Sequence, residues 1–221
     1  MQRDLAELKG RILVALGQNA GAVPLLRASA SESKEKRDID AALESSTVLV
    51  EALIGQADLD SARREWTQLG DAAAAAQAAR KPQGLLAMRA GALIDIADGH
   101  AGRALTTLND ASAAAVDADG VPTPTLRVIA VSQSLAALAN HQWEQACTSA
   151  ETALRQARAQ AVNPESSAWV GEALLLRARC ELAGGHRNES RRDAAMALPH
   201  LVTNLGATHA LATEARLLAR E

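Results

Sequence analysis

The 221-residue sequence predicts an all-α fold, a right-handed α-solenoid of antiparallel helix pairs. Three observations carry this expectation. Small and apolar residues recur with a period near 42, and prolines and glycines punctuate the same beat. No segment sustains the period-two alternation that a half-buried strand needs. Ala62, Ala104, Ala146 and Ser190 mark the beat at spacings of 42, 42 and 44. Four residues on stand Trp66, Leu108, Ala150 and Ala194, and seven on stand Leu69, Ala111, Ala153 and Ala197, so each triplet lines one helical face.

The elements follow in order. MQRDLAELKGRILVALG spaces Leu5, Leu8, Ile12 and Leu16 at helical intervals and carries Asp4 and Glu7. It reads as an amphipathic helix rather than a leader with a clean apolar centre. Gly17 is its turn, and Ala22 marks a second helix with Pro24 in its first turn, which makes 1–37 a degenerate repeat. The polar stretch Ser31 to Asp40 reads as a loop or a frayed helix end. Ile39, Ala42, Leu43, Ser46, Leu49, Val50 and Leu53 then give a first helix over about 38–55 a continuous stripe, opening the repeat 38–81. Proline suits a first turn and breaks a helix interior, so Pro82, Pro124 and Pro164 open the repeats 82–123, 124–163 and 164–204. Their first helices are expected over 82–98, 124–139 and 165–183, turning at Gly99, Asn140–His141 and Gly184–Gly185. DADGVPTPT, from Asp117 to Thr125, is the clearest loop. Residues 207–221 form a capping helix through Leu211, Ala215 and Leu218, since a stacked array otherwise exposes its last apolar face. The whole of 1–221 is read as one domain.

Composition narrows the function. Hydrophobic residues make up 48%, yet there are three Trp and no Tyr or Phe, so alanine, the best helix former, fills the missing volume. The net charge of −3 and the absence of a basic stripe or base-stacking aromatics argue against nucleic acid. Over 177–221 seven Arg face five acidic residues, a balance suited to a solvated helix face. No apolar run approaches the roughly 18–20 residues of a membrane span. Cys147 and Cys180 form no C-x-x-C or zinc framework. They are either two small core residues or, on neighbouring helices in an oxidising compartment, a disulfide. A cytoplasmic site is expected, or a periplasmic one if an anchor precedes this segment.

The periodic residues resemble the tetratricopeptide (TPR) repeat. Ala92 and Ala178 match the small residue of its first helix, where Val50 and Ser134 stand in the other repeats. Ala62, Ala104 and Ala146 match that of the second helix, Ala111, Ala153 and Ala197 the next, and Trp143 the aromatic after the turn. The period exceeds the usual ~34 by about two helical turns. It is similar to the long variety of kinesin light chains and many bacterial signalling proteins. Leu205, Gly206 and His209 look like the start of another such repeat.

The resemblance implies a concave face lined by first helices, with Thr47 and Glu51, Arg89 and Leu93, Val131 and Leu135, and Leu175 and Arg179 facing a partner. Its centre is apolar and its ends polar or charged, which suits an amphipathic helix or an extended peptide. The alternative is that long first helices pack these residues against neighbours and leave no groove. The implied function is a protein-interaction scaffold, one module of a larger bacterial kinase, cyclase or transcription regulator. The second reading is a sensory domain that takes a small molecule or peptide in its lumen.

No phosphate loop, H-E-x-x-H or nucleophile elbow is present, so no catalytic set, metal ligands or cofactor are expected. His100, His141 and His186 stand at successive turns, as solvated polar residues or as a metal-binding or pH-sensing ridge. His141 to Cys147 and Cys180 to His186 have the wrong spacing for paired zinc ligands. The expected partner is a protein or peptide, neither nucleic acid nor membrane, with self-association open.

Overall fold

The computed structural model describes residues 2–117 and 119–220, with side chains from Leu5 onward. Eleven helices are present among them: α1 (Gln2–Ala15), α2 (Asn19–Glu35), α3 (Ile39–Gly55), α4 (Leu59–Ala78), α5 (Pro82–Ala97), α6 (Ala101–Ala114), α7 (Thr125–Ala139), α8 (Trp143–Gln160), α9 (Ala168–Ala183), α10 (Arg187–Leu205) and α11 (Ala210–Leu218). The described residues contain no strand, only an isolated bridge from Val116, just before the expected loop, to Pro122 within it.

The chain divides into two compact units, Met1–His100 and Ala101–Glu221. In the first, consecutive helices from α1 to α5 pack in turn, and the first helices also touch along α1, α3 and α5. In the second, α6 to α11 pack likewise, with α7, α9 and α11 in sequence. The small markers are what let the helices approach. Ala62, Ala104 and Ala146 are fully buried, Ser190 nearly so, and Ala111, Ala150, Ala153, Ala194 and Ala197 are fully buried with them. Backbone comes close to backbone where α4 meets α5. A Cβ on Gly84 would lie 2.4 Å from the Gln77 backbone nitrogen, so only glycine fits there.

One backbone feature recurs with the repeat. Gly17, Ala57, Gly99, His141 and Gly185 all adopt left-handed conformations, with φ of 70°, 60°, 78°, 58° and 84°. Each ends a first helix and lets the chain reverse into the second. Just after the Ala57 turn, Asp58 accepts from the Ser61 N–H at the start of α4. The Ser61 hydroxyl and that N–H hold the Asp58 carboxyl below its ordinary value. Asp38 caps α3 in the same way through the Ala41 N–H.

Two local expectations are corrected, and of the two readings of Ser31 to Asp40 the helix end is the one met: Ser31 to Glu35 closes α2. The Ser29 and Ser45 hydroxyls lie 3.0 Å apart, Ser33 donates to the Ser29 carbonyl, and Ser46 donates to Glu65 at 2.6 Å. Pro24 lies inside α2, which starts at Asn19, rather than in its first turn. Pro164 lies in the connection 161–167, and α9 begins only at Ala168.

Trp66 is half-buried, unlike the fully buried Leu108 and Ala150 at its repeat positions. Its indole bridges two core clusters of the first unit and lies over Gly91 of α5.

Candidate functional site: the first-helix face

On each first helix the expected contact residues stand four apart, so each pair lies on one face, one turn above the other. In the first unit Thr47 is 1% exposed, and its hydroxyl donates to the Glu44 carbonyl of its own helix. Glu51 of α3 forms an ion pair with Arg89 of α5, both mostly buried. Leu93 is half-buried. In the second unit Val131 and Leu175 are buried in one core cluster, with the half-buried Leu135 packed against it. Arg179 of α9 clamps Glu214 of α11 with two hydrogen bonds of 2.5 and 2.6 Å. Thr47, Val131 and Leu175 are thus buried side chains rather than open ones.

The charges follow a rule that the sequence did not reveal. Ion pairs join consecutive first helices: Glu51 to Arg89 between α3 and α5, and Arg179 to Glu214 between α9 and α11. Arg11 of α1 reaches Glu44 of α3 at 3.1 Å, and Gln83 of α5 donates to the same carboxylate at 2.7 Å. Arg127 of α7 lies 3.9 Å from Glu172 of α9. Within each unit the face is thus a ladder of compensated charges. Glu44, Glu214, Arg127 and Glu172 were missed because pairing across helices depends on their register, which spacing within one helix does not give. One signal was available: Arg11 stands 40 residues before Glu51, the same face position one repeat earlier.

Behind the ladder, Arg177 of α9 holds Asp193 of α10 through bonds of 2.5 and 2.7 Å. That contact raises the Arg177 guanidinium above its ordinary value, against the opposing effect of burial. The Ser167 N–H, at the start of α9, donates to His200 Nδ1 at 3.3 Å.

At the turn edge of the second unit, Trp143 meets the ring of His186 edge-on at 5.1 Å, and His186 Nδ1 lies 2.7 Å from Glu181. An open depression of about 420 Å³ is lined by His141, Gln142, Trp143, Glu144 and Gln145. At the opposite ends of these helices Trp169 is 43% exposed, with the Arg127 guanidinium 4.3 Å over its ring. Cys147 of α8 and Cys180 of α9 are joined in a disulfide, so the two cysteines are not separate core residues. Among the described residues no group of three or more His, Cys, Asp or Glu is placed to hold a metal ion. No helix among them is long and apolar enough to cross a membrane.

These features define a class: an all-α protein built from TPR-like helix pairs with small residues at the crossings. No family model matches the chain, and no curated protein matches it. Among solved structures it is similar to a thermophilic TPR protein of Thermus thermophilus, with a TM-score of 0.67 and 15% identity, over 99% of this chain and 100% of that one. It is also similar to BtubC (BKLC) from P. vanneervenii, with a TM-score of 0.61 and 15% identity, over 93% of this chain and 87% of that one. The likeness is one of fold.

Proposed function

We propose that this chain is a non-catalytic scaffold that binds a protein or peptide along its first-helix face, and that it works as a module of a larger bacterial signalling or regulatory protein. The observation that carries the reading is the TPR-like array of helix pairs, a fold that commonly mediates protein–protein interaction. A repeat array presents one side chain set per repeat to an extended partner. In the first unit Leu93 remains half-buried, one turn along α5 from Arg89 and its partner Glu51; in the second unit Leu135 remains half-buried, and Arg179 pairs with Glu214. Within either unit, an open apolar position on a helix face that also carries an ion pair suits an amphipathic helix, whose apolar side takes the leucine while its polar side meets the charges. The reading includes the proposal that 1–221 acts as one domain.

The test places a photo-crosslinking amino acid at Leu93 or Leu135, and at the exposed second-helix residue Arg155 as control. Adducts in cells of origin that form from the leucine positions and not from Arg155 support the reading. Equal labelling from all three positions, or labelling from Arg155 alone, would move the contact off this face.

A further inference from the structure

We propose that the disulfide between Cys147 and Cys180 is acquired by exchange with an external disulfide donor, that Cys147 is the sulfur the donor meets first, and that the crosslink stabilises the fold. Three observations converge. The two Cα atoms lie 5.3 Å apart, within the range a disulfide spans without backbone movement. Cys147 stands near the start of α8 and Cys180 near the end of α9, so they meet at the end of this helix hairpin opposite its connection, 161–167. The hairpin is therefore closed covalently at both ends, with a sequence separation of 33. Finally, the corresponding positions one repeat earlier are Leu105 and Ala136, both buried. An apolar pair fills that space there, so packing alone does not call for cysteines.

Exposure sets the order of events. Cys180 is fully buried, whereas Cys147 is half-buried on the outer helix. The Cys147 thiolate attacks one sulfur of the donor and expels the other as a thiolate, leaving a mixed disulfide. The Cys180 thiolate then attacks Cys147 Sγ and expels the remaining donor thiolate. The cysteines together lose two electrons and two protons, and the donor is reduced to two thiols. Such donors are maintained in oxidising compartments and scarce in reducing ones, so the proposal sides with the former for this chain.

Glutathione disulfide serves as the probe. Reduced full-length chain treated with it, then unfolded and alkylated, should carry no alkyl groups and weigh two hydrogens less than the reduced chain. Reduction should lower its thermal midpoint by about 10 °C, as expected for a crosslink closing a loop of this length. The Cys180→Ala variant should accumulate one glutathione adduct at Cys147, while Cys147→Ala leaves Cys180 unmodified. The wild-type mass and midpoint stand even where a variant folds poorly. Two alkylated cysteines in the treated wild type, an unchanged midpoint, or an adduct at Cys180 in place of Cys147 would overturn the proposal.

Discussion

At the turn following α3 the left-handed position holds Ala57, and following α7 it holds His141, where glycine stands at 17, 99 and 185. A side chain at such a φ crowds the neighbouring carbonyl, at a cost of roughly 1 kcal/mol that glycine avoids. Ala57→Gly is therefore expected to raise the thermal midpoint by about 1–3 °C despite the added freedom of the unfolded chain. A fall in midpoint by calorimetry would show that the turn gains more from the methyl group than it loses. The three glycines were legible as turns; Ala57 was not, because alanine carries no left-handed preference and only the beat of the repeat locates it. Trp66 shows the reverse. Its place on the buried face was legible, but an indole is too wide for a position shared with alanine and leucine, and it spreads to Gly91. Trp66→Ala should cost roughly 3 kcal/mol in urea denaturation, at the low end for a large core truncation because the ring is half-exposed. A loss under about 1 kcal/mol would mean the two clusters it bridges hold without it.

Between elements, the charge ladder decides how the proposed binding face is tested. Arg89 already holds Glu51, so Arg89→Glu alone sets two carboxylates side by side and should lower stability by roughly 1–2 kcal/mol. Adding Glu51→Arg should restore most of that loss. A double variant no more stable than the single one would show that the pair contributes little. Only the swapped pair, which keeps the fold, reads partner binding cleanly. That these residues recur one turn apart on successive first helices was legible from the repeat, but the ion pairs between those helices were not. On α10, burial lowers the His200 imidazole below its ordinary 6.5, with Glu165 opposing the shift and Arg158 adding to it. The unfolded chain then takes up its proton first as pH falls, so stability is complete above about pH 6.5 and declines below it. The Ser167 N–H contact reinforces this, since protonated Nδ1 no longer accepts. Between about pH 7 and pH 5 the wild-type midpoint should fall more steeply than that of His200→Gln, which keeps an acceptor and does not titrate. Equal slopes would show that His200 is not coupled to folding.

For the molecule as a whole, the repeat and the division into units make different demands. The spacing of 42 from Ala62 to Ala104, and again to Ala146, runs without a break through the boundary between His100 and Ala101. Folding units, by contrast, are set by density of packing, which no marker spacing encodes, so the division was not legible while the helices were. In a repeat array each module gains from its neighbour, and such chains unfold together when neighbour terms are large compared with the cost of an internal break. We propose that 1–221 unfolds as one domain, with calorimetric and van't Hoff enthalpies equal. The disulfide lies wholly in the second unit and turns this into a sharper test. In the chain-entropy view a loop of this length contributes about 3–4 kcal/mol. If the array is one domain, that contribution is shared by the whole transition, and reduction moves a single peak down without splitting it. If the units are separate domains, reduction lowers one peak and leaves the other in place. Two calorimetric peaks of which only one responds to reductant would therefore show that the uninterrupted repeat spans two independently folding bodies.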